Sequence, residues 1–241
     1  METFLNIVIV GLLLGGIYGL VSMGLNLIFG VVRIVNFAQG ELVMLGMYGA
    51  YLSWYLLGLD PYLSALVVVP CLFVLGVIIQ RFVLQPLQNE PSMQIFATFG
   101  LLILFQNIVL AITRGTGYSV HSEVSRVVLS FEDINISLSR LIVLIMVILV
   151  AVGANWFLHS TMYGKAVRAV TQDRRSARLM GINVELAFML TFGVGSALAG
   201  LAGVLLAPIY TLSPQIGGNF ILAAFAVVVL GGLGSVWGAF F

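Results

Sequence analysis

Cationic side chains suited to gripping a partner's carboxylates or phosphates are concentrated in one stretch, GKAVRAVTQDRRSARLMGINV (164–184). It holds Lys165, Arg168, Arg174, Arg175 and Arg178, five of the ten basic residues, with Asp173 among them. A second stretch, RIVNFAQGEL (33–42), sets Asn36, Gln39 and Glu41 in apolar surroundings. Amides and a carboxylate there can hydrogen-bond a polar solute or satisfy the backbone of a broken helix. Little else offers chemistry. His121 and His159 are far apart in sequence, and no nucleophile or carboxylate-pair constellation accompanies either. Cys71 is the only cysteine, which excludes an intrachain disulfide or a cysteine-built metal site.

The elements that must position these residues are membrane helices. Of 241 residues, 61% are hydrophobic and 8% charged, with a mean hydropathy of +1.15, whereas soluble domains carry about 25% charged residues. Apolar runs fall at 4–32, 42–57, 62–84, 94–113, 141–158, 187–206 and 220–241. Each is about long enough to cross a hydrocarbon core of roughly 30 Å. None alternates apolar with polar residues, so helices rather than a barrel are expected. The expected fold is therefore all-α, a polytopic helical membrane protein of about seven transmembrane spans forming a single domain, 1–241. The N-terminal Met-Glu-Thr lacks the basic region of a signal peptide, so the first run is expected to be kept as a span. With a net charge of +1, the chain has no basic face for nucleic acid.

Lys and Arg favour the cytoplasmic side of a membrane. Placing 159–186 in the cytoplasm puts Arg33 and Arg81 there too and leaves Arg114, Arg126 and Arg140 outside, seven against three. The segment 114–140 and the N-terminus are then external. Small residues four apart, Gly11, Gly15 and Gly19 and again Gly195, Ala199 and Gly203, predict faces where helix backbones approach closely. The glycines of VLGGLGSVWGAFF, at the end of the chain, predict another close-packed helix or a break.

At about 100° per residue, the 164–184 stretch collects Ala166, Val170, Ala177 and Met180 on one side and Arg168, Arg175 and Arg178 on the other. That predicts one short amphipathic helix outside the membrane, capped by Gly181. Such a helix could lie on lipid headgroups, serve as a connector, or dock into a groove on a partner. The 33–42 stretch reads either as a cytoplasmic turn or as a polar break inside the bundle. Non-helical backbone at membrane depth is tolerated only where protein buries it or it lines a cavity. In the second case Asn36, Gln39 and Glu41 face the interior or the translocation path, and Glu41 is expected to be paired.

The run Gly164-Lys165-Ala166-Val167-Arg168-Ala169-Val170, then Gln172-Asp173 and Ala177-Arg178-Leu179-Met180-Gly181-Ile182, resembles the cytoplasmic loop of the branched-chain amino-acid permeases of ABC importers. GLNLIFGVVRIVNFAQGELVMLGMYGAY (24–51) and AFAVVVLGGLGSVWGA (224–239) resemble that LivH-like family's N- and C-terminal signatures, in the family order. The resemblance implies a multi-pass permease of a bacterial-type inner membrane. It implies that the loop is a coupling helix seated in an ATPase subunit, so that Gly164, Lys165, Arg168, Asp173, Arg175, Arg178 and Gly181 are ATPase-coupling residues. It also implies two ATPases, a second permease, identical or homologous, and a periplasmic solute-binding protein as partners. The solute would be a branched-chain amino acid, with urea and short amides as alternatives and an ATP-independent channel or carrier as a reading of another class. The chain has no G-x-x-x-x-G-K-[ST] loop, since Ala166 follows Gly164-Lys165 and His159 stands at the first glycine. ATP is expected on the partner ATPases, with no cofactor in this chain. Two departures from the family are visible: Gln39 stands where it usually carries histidine, and the family usually continues well beyond Phe241, so a truncated copy or a short member is expected.

Overall fold

A computed structural model describes residues 2–120, 122, 128–131 and 134–232. Each of the seven apolar runs contains a helix among the described residues: α1 (Glu2–Val32), α2 (Gln39–Leu57), α3 (Ala65–Ile79), α4 (Pro91–Thr113), α5 (Leu138–Ser160), α8 (Val184–Leu206) and α9 (Ile216–Gly231). Two short helices, α6 (Met162–Gln172) and α7 (Arg174–Leu179), occupy the basic segment, and an antiparallel hairpin of β1 (Val128–Phe131) and β2 (Ile134–Ser137) precedes α5. The last of the predicted glycine clusters lies mostly in 233–241, outside the described residues, as do His121 and Arg126.

Among the described residues, five helical spans are long and apolar enough to cross a membrane: Leu14–Val32, Ala65–Leu87, Pro91–Thr113, Leu141–Ser160 and Val184–Leu206. The second of these includes a π turn at Gln80–Leu84 and a 3₁₀ turn at Gln85–Leu87 that continue α3. The other two helices, α2 and α9, begin inside the bundle. Gln39, the first residue of α2, contacts Gly195 midway along α8. Gly217, near the start of α9, packs its backbone on Gly40. The residues leading into α2 and α9 thus return from exposed Arg33 and Gln215 into the protein.

Burial ranks the helices. Of the apolar window of α8, 78% is buried, against 11% for that of α4, so α8 is central and α4 faces outward. In lipid no hydrophobic force draws helices together, and close backbone approach must supply the packing energy. The row Gly195, Ala199 and Gly203 does this. A methyl added at Gly195 would lie 2.9 Å from the Gly24 carbonyl oxygen of α1, and one at Gly203 would strike the Val43 carbonyl of α2. The matching row on α1 behaves differently from expectation. Gly19 is buried, but Gly11 and Gly15 are exposed and a methyl at either would meet nothing.

The connections sort to two ends. At one end, Tyr118 and Leu212 exchange backbone hydrogen bonds of 3.1 and 2.8 Å, and Ser122 Oγ donates to Asp60 Oδ2 at 2.7 Å. At the other, Arg174 reaches the end of α1. Gly203→Ala should lower the unfolding midpoint of the detergent-solubilised protein, overpacking costing about 1–3 kcal/mol, while Gly11→Ala leaves it unchanged or raises it. Equal midpoints for the two variants would contradict the α2–α8 contact.

Candidate functional site

The break between α1 and α2 is built from its own side chains. Asn36 Oδ1 accepts from the Ala38 amide at 3.1 Å, forming a turn that starts α2. Asn36 Nδ2 donates to Gln39 Oε1 at 3.1 Å, and Gln39 Nε2 donates to the Gly195 carbonyl at 3.1 Å. Both residues are fully buried. Thr98 Oγ1 of α4 donates to the Val35 carbonyl at 3.4 Å, and Phe37 stacks on Phe99 with centroids 4.1 Å apart. The stretch is a polar joint inside the bundle and not a turn in water.

Glu41 is also buried, but it is not paired as expected: its Oε2 has no hydrogen-bond partner among the described residues. Two helix N-termini lie beside it. Glu41 lies in the first turn of α2, and its carboxyl packs against Gly217 in the first turn of α9. Helix N-termini carry positive partial charge, which favours an acidic group there.

The cytoplasmic segment is two helices rather than one. Thr161 caps α6 by accepting from the Gly164 amide at 3.0 Å, and Gly164 packs on the Leu158 carbonyl, where a side chain would not fit. Asp173 ends α6 and starts α7, accepting from the Arg175 amide at 2.8 Å and from Ser176 Oγ at 2.6 Å. Those two contacts, the Ser176 hydroxyl first, hold its carboxyl below the usual aspartate range. The restart at Asp173 shifts the helical register. Val167, Val170 and Ala177 are buried, but Met180, predicted on the buried side, is 84% exposed together with Leu179. Gly181 closes the segment at φ +82°, a left-handed conformation open to glycine.

Of the predicted coupling residues, Gly164 is buried and Lys165, Arg168, Asp173, Arg175, Arg178 and Gly181 are exposed. Arg168 Nη2 donates weakly to the His159 carbonyl at 3.4 Å, and Arg178 forms an ion pair with Glu185 at 2.8 Å. Beneath α6 lies an apolar cavity of about 350 Å³, lined by Leu27, Phe73, Leu158, Val167, Leu190 and Val194 among others. The segment's firmest polar tie to the bundle is instead Arg174. Its Nη2 donates to the carbonyls of Val32 at 2.7 Å and Val31 at 3.3 Å, the last residues of α1, and its guanidinium lies 4.8 Å from the Phe188 ring of α8. Burial, and then the neighbouring Arg33 charge, lower its pKa; a guanidinium nevertheless stays cationic. At about 100° per residue Arg174 falls on the border between the apolar side and the side of Arg168, Arg175 and Arg178, so periodicity does not assign it. The one signal in sequence is its position directly after an aspartate able to start a helix.

The described residues form a polytopic helical membrane protein with a buried polar break between its first two helices. The chain belongs to the branched-chain amino acid transport system permease component family, whose model matches residues 7–241. It is 32% identical over 257 residues to the high-affinity branched-chain amino acid transport system permease protein BraD of Pseudomonas aeruginosa, covering 98% of this chain and 81% of that protein. It is 30% identical over 254 residues to the corresponding permease LivH of Escherichia coli, with the same coverage. The fructose import permease FruG of Bifidobacterium longum is 30% identical over 158 residues, 65% of this chain and 46% of its own length. No solved structure matches.

Two outcomes check the site. Gln39→Ala leaves the buried Gly195 carbonyl and Asn36 Nδ2 without their partner, which should lower stability by about 1–3 kcal/mol in thermal unfolding. Asp173 has a lowered folded pKa, so the stability it contributes is present above its unfolded pKa and lost as pH falls through the folded value. Exchange protection of the Arg175 amide should therefore persist through pH values near 4, where a free aspartate protonates, and fail only at lower pH. Loss of protection at the free-aspartate value would contradict the cap.

Proposed function

We propose that the chain is the permease subunit of an ATP-driven ABC importer in a bacterial-type inner membrane, carrying branched-chain amino acids. Family membership supports the permease reading, and the solute named for the BraD and LivH relatives supports the substrate. The observation that carries the ATP-driven part is the outer surface of α7. Leu179 and Met180, each 84% exposed, stand beside the exposed cation Arg175 on a capped helix. Exposed apolar side chains rimmed by charge on a rigid element suit a groove on a partner protein. ATP is handled by two partner ATPases, because the chain carries no phosphate loop. A second permease subunit completes the membrane portion, and a binding protein delivers solute to the end that holds Tyr118 and Leu212.

In this reading Lys165, Arg168 and Arg175 contact the ATPase, while Gly164, Asp173, Arg178 and Gly181 shape the segment that presents them. Asn36, Gln39 and Glu41 belong to the translocation path. Their burial means that solute meets them only when the break opens, as alternating access requires. Urea and short amides are the alternative solutes.

The test is reconstitution of the chain with its neighbouring subunits in proteoliposomes. Uptake of leucine should require ATP and the ATPase; full uptake without either would overturn the proposal. Replacing both Arg168 and Arg175 with Glu should weaken ATPase binding by about tenfold or more, each lost charged contact being worth about 1.5–3 kcal/mol, with the bundle intact. Unchanged binding and uptake would remove the coupling assignment.

A further inference from the structure

Arg174 occupies a position that neither the family match nor the relatives explain. It is the first residue of α7, so it moves with the surface that carries Leu179, Met180 and Arg175. Its guanidinium nevertheless points the other way. It holds the Val31 and Val32 carbonyls that α1 leaves unpaired at its C-terminus, and it rests on the Phe188 ring. A cation at a helix C-terminus meets negative partial charge, and hydrogen bonds to a charged donor are the strong ones.

The backbone just beyond α1 makes the contact consequential. Arg33, the next residue, holds φ +61°, a left-handed conformation that side chains other than glycine rarely adopt. The chain reverses there and climbs to Asn36 and Gln39, which are tied to the Gly195 carbonyl of α8. The strained turn thus lies between two anchored points, the guanidinium below and the amide relay above.

We propose that Arg174 is the positioning residue through which displacement of α6 and α7 moves the end of α1 and thereby the buried break at 33–38. The inference rests on the importer reading. In it, the partner pushes on the outer face of α7, the guanidinium carries the end of α1 with it, and the left-handed turn at Arg33 absorbs the change in backbone angle.

The experiment uses the complete importer in proteoliposomes and reads solute taken up per ATP hydrolysed. Arg174→Gln should keep ATPase binding and hydrolysis while that ratio falls about threefold or more, the scale on which residues along a coupling route act. Arg174→Lys, which keeps one charged donor without the planar fork, should recover part of the ratio, and Phe188→Leu should lower it in the same direction. A wild-type ratio in Arg174→Gln would overturn the inference while leaving the importer reading intact. Failure of both Arg174→Gln and Phe188→Leu to assemble would also overturn it, making the contact one of folding alone. Absence of ATP-driven uptake by the unaltered importer would overturn both readings.

Discussion

The structure depends on one constraint: a helix broken inside a membrane bundle must find partners for its backbone within protein. Water is absent at that depth, and each unsatisfied group costs several kcal/mol. Asn36 and Gln39 meet the requirement together. One side chain shapes the turn that begins α2, and the other spans to a carbonyl of the central helix. An amide suits the task because it donates and accepts at once. Gln39 accepts from Asn36 and donates to Gly195.

The glycine contacts serve the same joint. Gly195 must lie against Gly24 for its carbonyl to be within reach of Gln39, and Gly40 must lie against Gly217 for α2 and α9 to start side by side. Close backbone approach is therefore what aligns the polar groups, and the polar groups in turn fix which glycines meet. Glu41 sits where two helix starts converge, which accounts for a buried carboxylate without a hydrogen-bonded partner at Oε2. Below this joint, the cytoplasmic segment is attached through carbonyls that the end of α1 cannot satisfy within its own helix.

Much of this was legible in the sequence, for definite reasons. Seven apolar runs mark seven helices because hydropathy over about 20 residues reports what lipid or a packed core requires. Hydropathy cannot report depth, so the 33–42 stretch was equally consistent with a turn or a buried break, and α2 and α9 looked like full spans. The row Gly195, Ala199 and Gly203 is informative because it lies on the most buried helix; Gly11 and Gly15 share the spacing but lie on an exposed face. In the basic segment, a single helical period was drawn through Asp173. An aspartate in that position can instead end one helix and cap the next. Met180 consequently emerges at the surface, and Arg174 turns inward, which no charge pattern could distinguish from its neighbour Arg175.

The most direct measurement of the buried joint is thiol accessibility at two positions six residues apart, Arg33→Cys and Gln39→Cys, each in a Cys71→Ser chain in membrane vesicles of defined orientation. The account predicts rapid modification at position 33 by a polar reagent on the cytoplasmic side, and no modification at position 39 in the resting protein from either side. Equally rapid modification of both from the cytoplasmic side would place the whole stretch in water and contradict the polar joint.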